Sequence, residues 1–316
     1  MTGQNDKWFE NICKWADEHN ISKVNIPRKK DKLKNLKMLN LSNNNLKYLP
    51  KEIGNLINIR MLDVSKNQLK KLPKEINKLK NLTVLNLGDN YGIKLNKNIG
   101  ELKKLTQLFL NEILIDKIPK EILKLKNLKA LDLSYNLLSE LPEEITKLSK
   151  LIYIGLFGNE IIALPKNIGE LTNLRILDLS DNGLEKLPKN ITKLTSLTEL
   201  NLSYNFLSHL PKSIGKLTKL KALNLDDIGF KQLPKEIGQL ENLNMLNLNG
   251  LVATKLPKEI IKLKNLKILS FNGNKRTKIP YEVFEFKNLT ELSFEGNNLV
   301  HLPQELFKLK NLTKLN

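Results

Sequence analysis

The sequence predicts an α/β solenoid, in which short strands form a parallel sheet on a concave side and short helices lie on the convex side. The first observation behind this prediction is a strict period: lines of 23 residues counted from Leu36 align the chain as far as Asn311, in twelve lines without an insertion or deletion. The second is a composition that is 41% apolar but only 6% aromatic. Cores of this kind are built from small, similar layers that stack on their neighbours.

Each line begins with a strand. Positions are counted within a line, with Leu36 as position one, and the consensus is L-x-x-L-x-L-x-x-N-x-L-x-x-L-P-x-x-I-x-x-L-x-x. Leu177 and Leu179 alternate with polar residues, as in a short strand with one buried face. Ile176, Asp178 and Ser180 should then point away from the core.

A turn and a short helix follow the strand. Asn at position nine has an amide that can bond the backbone of the turn, so stacked copies should pair polar groups that are buried between layers. Proline at position fifteen, as in Pro50 and Pro73, suits the first turn of a helix, where its missing N–H is no loss. Ile at position eighteen and Leu at position twenty-one should share the buried helical face. The ladder asparagines are Asn44, Asn67, Asn90, Asn136, Asn159, Asn182, Asn205, Asn274 and Asn297.

The consensus resembles the leucine-rich-repeat family, in its 23-residue intracellular branch. That branch includes Ras-binding scaffold repeats, plant intracellular Ras-group-related repeats and similar bacterial proteins. The resemblance covers residues 36–311 and a partial line at 312–316. It implies a curved, horseshoe-shaped solenoid that binds protein partners on its concave parallel sheet, and it implies no particular partner.

Several lines depart from the consensus. Ile113, Ile228 and Leu251 replace the ladder asparagine, and Gly92 and Arg276 occupy position eleven, which is usually apolar and buried. We expect locally altered loops in these lines. Neutral drift is the alternative explanation.

The predicted organisation has three parts. Residues 1–35 form an amphipathic cap helix and a degenerate half repeat, residues 36–311 form the twelve repeats, and residues 312–316 form a truncated thirteenth. Within residues 5–19, apolar residues such as Ile12 and Trp15 recur at helical spacing.

The C-terminal end is predicted to expose apolar surface that favours association. No polar cap follows repeat twelve, so Leu292, Phe294, Leu299 and Leu306 should be partly uncovered. Ile261, Phe284 and Phe307 also make position nineteen apolar there. These features predict a homodimer through the C-terminal end, or contact with a further domain.

The formal net charge is +19, from 52 Lys and Arg against 33 Asp and Glu. The lysines are spread along the chain, which favours a solvated basic surface, and weak contact with anionic surfaces is the alternative. Cys13 is the only cysteine, and we identify neither a signal peptide nor a transmembrane segment. A cytoplasmic location is therefore predicted, with secretion by a specialised system left open.

The sequence offers little for catalysis. It has three histidines and one cysteine, and no Ser-His-Asp, Cys-His or phosphate-loop arrangement can be placed. We therefore predict no enzymatic activity, no metal site and no cofactor.

The candidate site lies at positions three, five, seven and eight, which should face the open side of the sheet. These positions carry eleven acidic side chains and a single base, Lys66. Exposed aromatic residues beside charge are typical of binding hot spots, although some of these rings could instead fold over the rim and pack locally. The candidate partner-binding residues are Phe109, Asp132, Tyr135, Tyr153, Phe157, Asp178, Asp181, Glu199, Tyr204, Phe206 and Asp226.

The sequence thus predicts a non-enzymatic scaffold that binds a protein or peptide with basic and apolar features. Nucleic acid is disfavoured on the concave face, because its phosphates would meet carboxylates there. Two other interpretations stay open: a secreted or translocated bacterial effector or adhesin, and a recognition fragment of a larger signalling protein.

Overall fold

The computed structural model describes residues 7–229, 232–251 and 255–316. The chain divides into two compact units, residues 1–138 with 147–153, and residues 139–146 with 154–316. We describe each unit by itself.

The first unit opens with two helices, α1 (Lys7–Glu18) and α2 (Lys30–Lys34). Helix α1 falls within the predicted range 5–19, and Asn5 and Asp6 lie outside the described residues. It buries Ile12, Trp15 and Ala16, and the Asn11 side chain donates to Glu52 of the first repeat at 2.9 Å. The helix therefore packs against the first repeat with its apolar face.

Each repeat contributes a strand of three residues, and neighbouring strands pair in parallel. In the first unit the pairing couples residues 23 apart, as in Leu39 with Leu62. These central leucines are at most 1% exposed. The strands are β1 (Met38–Asn40), β2 (Met61–Asp63), β3 (Val84–Asn86), β4 (Gln107–Phe109) and β5 (Ala130–Asp132), and β6 (Tyr153–Gly155) lies at the division between the units.

The second unit repeats the same register. Leu200 of one strand pairs with Leu177 and Leu223 of its neighbours. The strands are β7 (Ile176–Asp178), β8 (Glu199–Asn201), β9 (Ala222–Asn224), β10 (Met245–Asn247), β11 (Ile268–Ser270), β12 (Glu291–Ser293) and β13 (Lys314–Leu315).

The predicted short helices are single turns of 3-10 helix. Pro50 has an extended backbone (φ −68°, ψ 150°) and precedes the turn instead of forming its first residue. Its carbonyl accepts from Ile53 N–H at 3.1 Å, and Ile53 and Leu56 are buried as predicted. The turns are Lys51–Asn55, Lys74–Lys78, Lys97–Glu101, Ile122–Lys124, Glu143–Lys147, Ile168–Glu170, Lys189–Lys193, Lys212–Lys216, Lys235–Gln239, Lys258–Lys262, Tyr281–Glu285 and Gln304–Lys308.

The asparagine ladder joins adjacent repeats. Asn67 Oδ1 accepts from the backbone N–H groups of Asn44 and Leu46, in the preceding repeat, at 3.0 and 2.9 Å. Its Nδ2 donates to the carbonyls of Leu41 and Val64 at 2.8 and 2.9 Å. One buried amide therefore satisfies backbone groups of two layers, as the sequence predicts.

The loop beside Ile113 is altered. Gly92 has a positive φ of 74° and donates its N–H to the Ile113 carbonyl at 3.1 Å. Ile93 is buried one position later than the consensus apolar residue. Residues 230–231 and 252–254, which follow Ile228 and Leu251, lie outside the described residues.

Two expectations for the C-terminal end are wrong. Leu292 and Phe294 are only 1% and 4% exposed, because β13 pairs with β12 and the Phe294 ring stacks on Phe271. Phe284 is also buried. Leu299 and Leu306 are half-buried, as expected, and Phe307 is exposed.

Candidate functional site

The turn after each strand has an unusual backbone. Position eight has a positive φ in all twelve repeats, and four of them use glycine there: Gly158, Gly250, Gly273 and Gly296. A residue with a Cβ pays about 1 to 2 kcal/mol for this left-handed conformation. Tyr135 and Tyr204 nevertheless occupy it with φ of 54° and with about half of each side chain exposed. Bulky residues retained at such a conformational cost are candidates for function.

Tyr204 lines a pocket in the second unit. The pocket has a volume of about 560 Å³. Beside it, Phe206 is 76% exposed and Tyr204 55% exposed. We call this site the Tyr204 pocket; its lining residues are Asp181, Asn182, Tyr204, Asn205, Phe206, Leu207, Ser208, Asp227 and Gly229. The structure therefore brings three predicted site residues together, at the carboxyl ends of the strands instead of in the middle of the strand face.

Carboxylates surround the Tyr204 hydroxyl. The negative charge of Asp227 is the largest influence that raises the pKa of Tyr204, followed by partial burial and by the charge of Asp226. A hydrogen bond to Asp227 and the charge of Asp181 act in the same direction. These carboxylates make the phenol harder to ionise, and the negative environment they create suits a cationic group on a ligand.

Two hydrogen bonds to nearby asparagines hold Asp226 in place. Its Oδ1 accepts from the backbone N–H of Asn249 at 2.8 Å, and its own N–H donates to Asn224 Oδ1 at 3.1 Å. Burial raises the pKa of Asp226 despite these hydrogen bonds. The carboxyl is thus partly withdrawn from solvent and costly to ionise there.

The acids at position five have a structural role. Asp178 Oδ1 accepts from the backbone N–H of Ser180 at 3.0 Å and from its hydroxyl at 2.5 Å. Asp132 likewise accepts from Ser134 N–H at 2.9 Å. Ser180 is 4% exposed, and its hydroxyl also accepts from Asn201 Nδ2 at 3.1 Å, so it lies among the polar side chains of the strand face and is covered by them. The strand ends at position five, and position seven already belongs to the turn.

The other predicted site residues lie apart from the Tyr204 pocket lining. Glu199 is exposed on β8, and Phe157, which follows β6, is half-buried. In the first unit, Phe109 on β4 pairs in register with Asp132 on β5. Tyr153, the first residue of β6, is half-buried. A wider surface that includes Tyr153 and Phe157 stays a prediction.

The sequence interpretation missed a tyrosine and carboxylate pair in the first unit. The Tyr91 hydroxyl donates to Glu112 Oε2 at 2.7 Å, and this hydrogen bond is the main reason that the pKa of Tyr91 is raised. Asp227 was counted among the eleven acids of the open face but was not named as a candidate site residue, although it lies 23 residues after Tyr204. A search of the sequence for a tyrosine in one turn and an acid in the next turn could have found Glu112 beside Tyr91 and Asp227 beside Tyr204.

The repeat geometry defines a leucine-rich-repeat protein, and comparison with known families agrees. The model of the leucine-rich repeat region matches residues 13–114, 144–228 and 203–316, and a second leucine-rich-repeat model matches residues 103–161. The chain therefore belongs to the leucine-rich-repeat family.

Solved structures resemble it over most of its length. A leucine-rich-repeat protein of Leptospira interrogans is 39% identical, with a TM-score of 0.77 over 91% of this chain and 82% of that one. The functional domain of InlJ from Listeria monocytogenes, which includes a cysteine ladder, is 18% identical, with a TM-score of 0.78 over 98% of this chain and 66% of that one. This likeness shows the fold alone. No curated protein matches the sequence.

A third similar structure is the plant peptide hormone receptor RGFR1 in complex with RGF2. It is 27% identical, with a TM-score of 0.62, and the match covers 89% of this chain and 55% of the receptor chain. Within residues 7–229, 232–251 and 255–316, no helix has the length and apolar character needed to cross a membrane.

Proposed function

We propose that this protein is a non-enzymatic interaction scaffold that binds a protein or peptide partner at the Tyr204 pocket. The observation that carries the proposal is an exposed tyrosine, in a left-handed turn where four of the twelve repeats use glycine, beside Asp181 and Asp227. Packing within the protein does little to offset the conformational cost at Tyr204, because more than half of its side chain is exposed. Contact with a partner would offset that cost.

The partner is proposed to have basic and apolar features. Asp181 and Asp227 attract a Lys or Arg side chain, and the exposed rings of Tyr204 and Phe206 offer apolar area with little rotamer entropy to lose. The same carboxylates repel nucleic acid phosphates from this pocket. The plant receptor in complex with RGF2 supports a peptide ligand as one form of the partner.

Replacement of the two rings tests the proposal. In a peptide-array experiment, the parent protein should retain Lys- or Arg-containing peptides with apolar residues, and their Lys-to-Glu counterparts should not bind. The double variant Tyr204→Ala with Phe206→Ala should weaken binding by about a hundredfold or more, which corresponds to a loss of about 3 kcal/mol or more for the two rings together.

The matched control is Phe307→Ala, because the Phe307 side chain is 78% exposed, close to the 76% of Phe206. Equal peptide retention by the double variant and this control would contradict the proposal. The pair Tyr153→Ala and Phe157→Ala tests the wider predicted surface in the same array.

Charge reversal tests the electrostatic component separately. Asp181→Lys and Asp227→Lys should slow association with a basic peptide and reverse its salt dependence, because charged side chains at the edge of an interface chiefly steer the encounter. Asp132 and Asp178 are poorer choices for this test, because reversal there also removes a turn hydrogen bond.

Two further predictions accompany the proposal. The cytoplasmic location rests on Cys13 as the only cysteine, and cell fractionation tests it. The homodimer through the C-terminal end rests on Phe307 and the apolar groove of about 510 Å³ that it lines with Leu306 and Leu315. A monomeric mass in light scattering, with the same mass for Phe307→Lys, would contradict the dimer prediction.

A further inference from the structure

Arg276 occupies position eleven, where six other repeats have a fully buried aliphatic side chain. Its counterparts at position eleven are fully buried: Leu46, Leu69, Leu138, Ile161, Leu184 and Leu207. The Arg276 guanidinium carbon lies 5.2 Å from the centroid of the Phe271 ring. Burial lowers the pKa of Arg276, so the folded protein bears a cost for a charge that a leucine would not impose.

Arg276 lies in a pocket rich in positive charge. The pocket has a volume of about 510 Å³ and is lined by Lys255, Lys258 and Lys278 as well as Arg276. Among its described lining residues, Glu282 is the only acid. Its charge supports the ionised form of Arg276 without balancing the four cations.

The composition of this pocket distinguishes it from the general lysine surface. Lysines at positions thirteen and sixteen recur along the chain, but Arg276 is the only arginine at position eleven. Tyr281 replaces the usual lysine at position sixteen, and its side chain is 67% exposed. The pocket therefore combines a half-buried guanidinium, three ammonium groups and one exposed ring.

We infer that this pocket binds a phosphate monoester, with the phosphate at Arg276 and the lysines and the organic group against Tyr281. A guanidinium forms two parallel hydrogen bonds to phosphate oxygens, and its partial burial strengthens them. A net lining charge of three positive units favours a dianionic phosphate over a monovalent carboxylate. The pocket is separate from the Tyr204 pocket and does not depend on the function proposed there.

The test is thermal unfolding with phenyl phosphate, inorganic phosphate or acetate at matched ionic strength. Phenyl phosphate should raise the melting temperature most, inorganic phosphate less, and acetate least, because a ligand that binds the folded state stabilises it. Tyr281→Ala should remove the advantage of phenyl phosphate over inorganic phosphate. A phosphotyrosine peptide that binds more tightly than phenyl phosphate would identify a modified protein as the source of the phosphate, whereas equal binding would identify a small molecule.

Arg276→Leu restores the residue type of the other repeats and gives the sharpest result. Without ligand, this variant should melt at a higher temperature than the parent, because a partly buried charge is replaced by an apolar side chain. Its affinity for phenyl phosphate should fall about tenfold or more, as for loss of a charged hydrogen bond. The gain in stability shows that a loss of binding does not come from misfolding.

Two lysines provide a matched control. Lys258 and Lys212 both occupy position sixteen, but Lys258 lines the pocket with Arg276 of the following repeat, whereas Lys212 is not among the lining residues. Lys258→Ala should weaken phenyl phosphate binding, and Lys212→Ala should leave it unchanged. Equal losses in the two variants, or a phosphate response in Arg276→Leu as large as in the parent, would overturn the inference and indicate nonspecific attraction to the lysine surface.

Discussion

Asn205 gives a direct test of the ladder, because its side chain holds two layers of the second unit together. Its Nδ2 donates to the carbonyls of Leu179, Leu202 and Ser203 at 2.9, 2.9 and 3.1 Å, and its Oδ1 accepts from Leu184 N–H at 3.0 Å. Asn205→Ala removes all four hydrogen bonds from a site that is 3% exposed. Because the two Nδ2 hydrogens share three carbonyls, these contacts amount to about three full bonds, and at about 1 kcal/mol each the free energy of unfolding should fall by about 3 kcal/mol.

Asn190 provides the matched control in the preceding repeat. Its side chain makes one exposed hydrogen bond, to the Lys166 carbonyl at 3.1 Å, so Asn190→Ala should cost about 0.5 to 1 kcal/mol. Urea unfolding followed by circular dichroism compares the two variants. Hydrogen exchange at Leu184 N–H adds a local measurement, and this amide should lose protection only in Asn205→Ala. If both variants unfold at the same urea concentration, the ladder does not stabilise the stack as argued.

Three further predictions concern stability. Leu200→Ala should cost about 2 to 5 kcal/mol in urea unfolding, because the side chain is 1% exposed, and an unchanged midpoint would contradict its burial. Gly54→Ala should cost about 1 to 3 kcal/mol, because an added Cβ would lie 2.6 Å from the Glu75 carbonyl oxygen, whereas Gly229→Ala meets open space and should be nearly neutral. Asp226→Asn should raise the melting temperature at pH 7, because burial raises the pKa of Asp226 and penalises the ionised folded state. That advantage should shrink as the pH falls through the folded pKa, and an advantage that grows in acid would refute the assignment.

The spacing of apolar residues predicted the repeat correctly, because it depends on which residues can stack. Leu177 and Leu179 are buried, and the asparagines pair with backbone groups of adjacent layers. The same spacing could not show that position eight is left-handed, since Tyr204, Asp181 and Gly158 share that backbone despite different chemistry. Nor could it show that Ser180 is covered on the strand face, where its hydroxyl bonds the side chains of Asp178 and Asn201.

The sequence by itself therefore determined the family, the 23-residue register, the buried positions and the ladder that joins the layers. These features follow from contacts that recur in most repeats. Only the tertiary structure decided which exceptional residues meet: Tyr204 with Asp227, and Arg276 with Lys255 of the preceding repeat. Whether these residues come together depends on the path of individual loops and on the direction of individual side chains. A repeat consensus does not specify either of these.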